Sequence, residues 1–317
     1  MSNGTKEIML FSGSSNPILG KEIAKQLNIP QGKINLKKFA NGETYAQFLE
    51  NIRGKDVFLL QTAVDPINDY LMELLIMIDA AKRSSAGRIT VVTPNFFYAR
   101  QDRKAASREP ITAKLVADLI TTAGADRIIT IDLHSDQTQG FFNIPLDNLP
   151  TTSIMMKKAK ELIQGEGVIV APDAGSAKRA TKIASRMDLE LAIINKTRLK
   201  HNEAKALNII GAEVKGKTCL IFDDMIDTGG SLCTAIDMLK DNGANKVYAF
   251  ITHGILSQDA VKKVENSKAD MLYISDSLPL KTKSEKIQVI SIAEYIASAI
   301  KCIHEDESVT VLFDEQD

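Results

Sequence analysis

The chain has 317 residues, enough for about two domains, with 44% hydrophobic residues, 25% charged residues and a formal net charge of -1. That balance argues against a nucleic-acid partner, and the lack of an apolar run of bilayer length argues against a membrane partner. Cys219, Cys233 and Cys302 are too scattered for a disulfide or zinc framework, and the N-terminus lacks a basic-then-apolar leader, so a cytoplasmic protein with reduced thiols is expected.

Short β-type runs alternate with helical patterns along the chain. "EIMLFSG" reads as a buried strand. The next stretch, "GSSNPILGKEI", is a near miss of a P-loop: six residues, not four, separate Gly13 and Gly20, and Glu22 stands where that loop needs Ser or Thr. It predicts an ordinary strand-to-helix turn. "DVFLLQT", "RITVVTP" and "RIITIDLH" read as further strands, with "INDYLMELLIMIDAAKRSS" and "ITAKLVADLITTAG" as the helices between them. "YARQDRKAASREP" collects polar and basic residues, a pattern that also suits a solvated loop. Beyond "PLDNLPTTS" the same style resumes with "GVIVAPD", "LAIIN", "TCLIFDD" and "KVYAFITH". This alternation predicts an α/β protein with parallel sheets covered by helices on both faces.

The two halves also repeat. The segment from Arg53 to Pro94 lines up with that from Lys215 to His253, Gly54-Lys55 matching Gly216-Lys217, which predicts two copies of one fold with a boundary near residue 150. In this register Asp223 and Asp224 fall opposite Gln61 and Thr62. The fold itself therefore does not demand the acids, and a ligand site in the second half alone is expected.

That site centres on "CLIFDDMIDTGGSLCTA". Ligands of open parallel sheets bind beyond the carboxyl ends of strands, and "TCLIFDD" ends there. Asp227, Thr228, Gly229, Gly230 and Ser231 then open a helix, whose amides and hydroxyls suit one phosphate group. Asp223 and Asp224 beside it can accept hydrogen bonds from sugar hydroxyls. A sugar phosphate is the expected ligand; the plainer alternative is a capped helix with solvated acids.

"FDDMIDTGGS" resembles the phosphoribosyl-pyrophosphate loop of the type I phosphoribosyltransferase fold. "FANGETYAQ", "NFFYARQDRKAASREPITAKLVADL", "DLHSDQTQGFF" and "APDAGSAKRA" resemble, in order, the signatures of the ribose-phosphate pyrophosphokinase family, and the resemblance covers essentially the whole chain. It implies an α/β fold of two tandem phosphoribosyltransferase-like domains, each a mainly parallel sheet flanked by helices: residues 1–149 with the ATP motifs and 150–317 with the ribose 5-phosphate site. It implies ATP and D-ribose 5-phosphate as substrates, 5-phosphoribosyl 1-pyrophosphate and AMP as products, and Mg2+ as cofactor. Arg100, Gln101 and Asp102 would bind ATP, with Phe39, Asn41 and Glu43 completing the adenine pocket from a neighbouring subunit. His134 and Asp173 would lie near the metal. Lys196 and Arg198 of "INKTRLKHNEA" would meet the β-phosphate from a catalytic loop, in a segment less close to the family pattern than the others.

In the phosphate-activated class of the family, positions matching Lys104, Arg108, Gln139, Asp147, Asn148, Ser308, Thr310 and Phe313 build an allosteric anion site between subunits. The resemblance thus implies a homo-oligomer, a hexamer, activated by phosphate and inhibited by ADP. The tail "ESVTVLFDEQD" reads as a short β-type run, and packing as an edge strand is its plainer use. Two other functions stay open: a phosphoribosyltransferase, which would need a base-binding hood that no segment suggests, and a non-catalytic regulatory subunit, which could lose His134, Lys196 or Arg198.

Overall fold

The computed structural model describes residues 7–163, 165–197 and 206–314. They form two compact units. The first begins with β1 (Ile8–Ser12), α1 (Pro17–Leu27), β2 (Ile34–Lys38) and β3 (Thr44–Phe48). It continues through β4 (Asp56–Leu60), α2 (Ile67–Arg83), β5 (Arg88–Thr93), α3 (Thr112–Ala123), β6 (Arg127–Ile131) and β7 (Leu146–Leu149). β1-β4-β5-β6-β7 make a wholly parallel sheet, and β2 and β3 a separate antiparallel hairpin.

β4 is buried at every position, as a strand covered on both faces must be. Leu74, Met77, Ile78 and Ala81 of α2, at three- and four-residue spacing, form one stripe. With Val116, Ala117 and Ile120 of α3 they cover Val57, Leu59 and Val91 of the sheet. Full burial of each large apolar side chain here contributes about 1.5–3 kcal/mol. The P-loop-like stretch is indeed a strand-to-helix turn. Asn16 caps α1 by accepting from Leu19 N, and a Cβ on Gly13 would lie 2.4 Å from Gln61 Oε1, so close packing requires that glycine.

The second unit holds α4 (Thr152–Leu162), β8 (Gly167–Ala171), α5 (Ala177–Met187), β9 (Glu190–Thr197), β10 (Ala206–Gly211) and β11 (Thr218–Ile226). It goes on with α6 (Gly230–Asp241), β12 (Lys246–Gly254), α7 (Ala260–Asn266), β13 (Met271–Ser275) and β14 (Ile287–Ile290). Its sheet runs β10-β9-β8-β11-β12-β13-β14, antiparallel only between β9 and β10. Side chains of β11 alternate faces. Cys219 and Ile221 join the α6 and α7 side, while Leu220 and Phe222 join the α4 and α5 side.

The first unit runs without a break to Pro150. Asp276–Pro279 and the stretch from Ser291 return to the first unit. The physical reason is α8 (Ala293–His304), which buries Tyr295, Ile296, Ala299, Ile300 and Ile303 and packs on α1. A buried ion cluster pins its end. Arg88 grips Asp56 through Nε (2.8 Å) and Nη2 (2.5 Å), His304 Nδ1 lies 2.8 Å from Asp56 Oδ2, and Arg88 Nη2 donates to Ile303 O at 2.8 Å. The tail differs from expectation too. It closes in a helical turn, α9 (Val311–Asp314), not a β-type run, because Phe313 N bonds Thr310 O at 2.9 Å and no described strand pairs with it. No described helix is long and apolar enough to cross a membrane.

Candidate functional site

From β8 the chain crosses through α5 to β9; from β11 it crosses through α6 to β12, on the opposite side. The two connections diverge, so the carboxyl ends of β8 and β11 bound a crevice of the kind where α/β sheets bind ligands. β11 outruns β8: their pairing stops at Ile221↔Val170, and Asp223 and Asp224 lie beyond it.

The turn after β11 is held by its carbonyls. Ile226 O accepts from Ile255 N (3.0 Å) and Leu256 N (3.1 Å), Asp227 O from Ser257 N (3.1 Å), and Thr228 O from Lys263 Nζ (3.0 Å). With these carbonyls engaged, the helix that follows offers donors. α6 has no side-chain cap, and its first intrahelical bond is Cys233 N to Gly229 O at 2.9 Å. The preceding amides have no intrahelical acceptor and sit at the positive end of the helix dipole. Thr228 and Ser231 are exposed beside them.

The two glycines serve different ends. Gly229 has φ +75, where a side chain costs about 1–2 kcal/mol. Gly230 has no such φ, and a Cβ there would meet nothing within 4 Å. Its bareness serves access, not packing. Gly230→Ala is therefore expected to keep the melting temperature at or above that of the parent while raising the KM for a sugar phosphate roughly tenfold, about 1.4 kcal/mol of binding. Thermal melts and steady-state kinetics on the one variant check both halves.

Asp224 is buried, and Asp223 lies partly open, its Oδ1 accepting from Asp224 N at 2.9 Å. Burial, then the hydrogen bond and charge of Asp224, push the Asp223 carboxyl up to about 7, against a lowering by Arg179. Asp173 is exposed and caps the turn into α5: its Oδ1 accepts from Ser176 N at 3.0 Å, and Ser176 Oγ donates to Asp173 O at 2.9 Å. Among the described residues no three His, Cys, Asp or Glu gather into a metal cage. An exposed carboxylate of this kind suits a cation that keeps most of its waters and takes few protein oxygens, as magnesium does.

The remaining expected residues in the first unit occupy separate places. Phe39, Asn41 and Glu43 form the tip of the β2–β3 hairpin, closed by Phe39 N to Glu43 O at 2.8 Å. Phe39 is 48% exposed, touching Tyr45 at 5.7 Å between ring centroids. Arg100 and Gln101 are exposed and Asp102 is half-buried; Thr112 Oγ1 donates to Gln101 Oε1 at 2.5 Å. The exposed Lys104 and Arg108 flank a bend in which Glu109 Oε2 accepts from Ala105 N and Ala106 N, each at 2.8 Å. His134 is exposed just past β6. Asn148 Oδ1 accepts from Leu133 N at 3.0 Å, Asp147 pairs with Arg127 at 2.5 Å, and Gln139 Nε2 donates to Asp136 O at 3.2 Å. Ser308 Oγ and Thr310 Oγ1 bond each other, and Phe313 is half-buried. Lys196 belongs to β9, but its side chain and the whole of Arg198 lie outside the described residues.

The expectation missed two features. Arg179, on the first turn of α5, stands 3.6 Å from both Asp223 Oδ1 and Asp224 Oδ1. Its signal was present in "APDAGSAKRA", where one arginine follows the acid by six residues. In the first unit, the place equivalent to the acid pair is filled. Gln61 Oε1 accepts from Ser15 N (3.1 Å) and Ser15 Oγ (2.5 Å), while Gln61 Nε2 donates to Glu73 Oε1 (2.7 Å), which also accepts from Ser14 N (2.7 Å). A satisfied buried network stands where the second unit places the Asp223 and Asp224 carboxylates.

A doubly wound sheet with an acid pair and an uncapped, glycine-led helix at its crossover divide defines an α/β protein of phosphoribosyltransferase type. Residues 8–124 match the N-terminal domain of ribose phosphate pyrophosphokinase, and residues 198–314 match the phosphoribosyl synthetase-associated domain. The ribose-phosphate pyrophosphokinase of Mesorhizobium japonicum is 51% identical over 310 residues, covering 96% of this chain and 99% of its own. That of Brucella melitensis is 49% identical over 309 residues, covering 96% and 99%. The crystal structure of phosphoribosylpyrophosphate synthetase from Mycobacterium smegmatis matches with a TM-score of 0.90 at 42% identity, covering 95% of this chain and 100% of that one. This chain belongs to the ribose-phosphate pyrophosphokinase family.

Proposed function

We infer that the chain transfers the diphosphoryl group of magnesium ATP to the anomeric hydroxyl of D-ribose 5-phosphate, giving 5-phosphoribosyl 1-pyrophosphate and AMP for nucleotide biosynthesis in the cytoplasm. One observation carries this: the acid pair and the uncapped helix start share one crevice, in a chain of this family. The α6 amides with Thr228 and Ser231 take the 5-phosphate. Asp223 and Asp224 accept hydrogen bonds from the vicinal diol and orient the sugar, a proximity effect. The anomeric hydroxyl gives up its proton to water as its oxygen bonds to the β-phosphorus, the bond from that phosphorus to the α,β-bridging oxygen breaks, and AMP leaves with its electron pair. No covalent enzyme intermediate is needed. Lys196 and Arg198 neutralise charge as it shifts. Magnesium would neutralise charge on the triphosphate, and Asp173 and His134 are the residues that would hold it.

Arg100, Gln101 and Asp102 bind ATP, and Phe39, Asn41 and Glu43 close the adenine pocket of a neighbouring copy. The exposed Phe39 ring, left out of its own unit's core, supports that role. Incubating the protein with ATP, Mg2+ and ribose 5-phosphate tests the reaction. AMP and 5-phosphoribosyl 1-pyrophosphate in equal amounts are expected; ADP in place of AMP overturns it.

The same reading makes the protein a homo-oligomer, a hexamer, with an anion site built from Lys104, Arg108, Gln139, Asp147, Asn148, Ser308, Thr310 and Phe313. The mutual bond of the Ser308 and Thr310 hydroxyls supports it, since both lie on one exposed turn. Inorganic phosphate should raise activity, and ADP should inhibit in a way that excess ATP does not fully relieve. Both effects should weaken in the Ser308→Ala/Thr310→Ala and Arg108→Ala variants. Purely competitive ADP inhibition with phosphate-independent activity would remove the site.

A further inference from the structure

We propose that Arg179 is the positioning residue of the acid pair: its guanidinium draws the Asp223 and Asp224 carboxylates side by side and opposes their protonation, so that they can accept the ribose hydroxyls. Successive strand residues normally point to opposite faces. Here one Nη1 atom stands 3.6 Å from Oδ1 of both neighbours, so within β11, past its pairing with β8, both carboxylates approach the guanidinium from α5. The distance matters as much as the charge. At about 2.9 Å a guanidinium would consume carboxylate lone pairs in direct hydrogen bonds. At 3.6 Å it supplies positive potential without a direct hydrogen bond to either Oδ1.

Adjacent, largely buried carboxylates would otherwise share a proton, and a protonated carboxyl offers a donor where a sugar hydroxyl needs an acceptor. Burial and the carboxyl of Asp224 on the same strand favour protonation of Asp223, while the Arg179 guanidinium from α5, and after it the Asp224 backbone N–H, oppose it. The placement of Arg179 is itself built. Asp173 and Ser176 fix the turn that starts α5, and Arg179 sits on the first turn of that helix, while Ala180, Ile183 and Ala184 anchor its other face in the core.

This deepens the proposed ribose 5-phosphate site and rests on it. The test follows kcat/KM for ribose 5-phosphate against pH in the parent enzyme, Arg179→Gln and Arg179→Lys. In Arg179→Gln the acid limb should move up by about one pH unit, giving roughly tenfold loss below the limb and little loss well above it. Arg179→Lys should restore most of the limb, and the KM for ATP should stay unchanged in both. A loss equal at every pH, or a lysine variant as impaired as the glutamine one, overturns the proposal. Titration of the aspartate carboxyl carbons by NMR in substrate-free protein, with Asp223→Asn and Asp224→Asn as assignments, gives a readout independent of turnover. An upward move of the pair in Arg179→Gln supports the proposal, and an unmoved pair overturns it. A parent enzyme that fails to turn over would instead refute the proposed reaction and leave the carboxyl titration to decide the role of Arg179.

Discussion

Lys196→Ala and Arg198→Ala are each expected to lower kcat by roughly 10²–10³-fold while leaving the KM values for ATP and ribose 5-phosphate nearly unchanged. Lys196 is the penultimate residue of β9, and Arg198 follows that strand directly. The backbone of β9 thus brings Lys196 to the carboxyl edge of the sheet. A cation that meets charge only as it moves from the β-phosphorus to the departing AMP acts on the chemical step, not on substrate capture. Rapid-quench measurement of the first turnover separates that step from product release. The double variant should fall little further than either single one, because the two would serve one developing charge. Near-normal turnover with a raised substrate requirement would assign the pair to ground-state binding.

Asp223→Asn should abolish most ribose 5-phosphate use and yet stabilise the protein at pH 8. The folded state holds the Asp223 proton up to about 7, well above an ordinary carboxylate. Between those limits the folded chain binds more protons than the unfolded one, so the ionised group's contribution to stability falls as pH rises and stays unfavourable above the folded value. Asparagine removes that burden. After discounting for partial exposure, a gain in melting temperature of roughly 2–4 °C is expected at pH 8, and none near pH 4 where the parent is already protonated. Melts at the two pH values decide it: an equal gain at both would assign the effect to packing instead. The site would then not be holding the electrostatic strain assigned to it.

The sheets were legible because fully buried parallel strands read as unbroken apolar runs, "DVFLLQT" and "TCLIFDD" above all. The acid pair was legible because its repeat partners, Gln61 and Thr62, show that the fold does without it. The β2–β3 hairpin passed unnoticed because its strands are half-exposed and mix lysine and glutamine with the apolar residues. The tail misled: "TVLF" has β-type composition, but so short a run adopts strand structure only with an edge to pair with. Arg179 was overlooked because a charged residue on a helix ordinarily marks its solvated face, and only the three-dimensional approach to two acids on another element reveals otherwise. The return of α8 was illegible in kind. Its apolar stripe says that the helix is buried, but nothing in a stripe says against what.

That return has a consequence for how the protein is made. The unit that begins at the N-terminus cannot be finished until the ribosome has nearly completed the chain, since α8 and the Asp56–Arg88–His304 cluster close it. Domains that are contiguous in sequence fold as they emerge; this one must wait on the order of ten seconds while the whole second unit is synthesised. Throughout that interval the part of α1 on which α8 packs lacks its cover. The nascent chain is thus most vulnerable to aggregation in midsynthesis, before α8 has emerged to cover that surface.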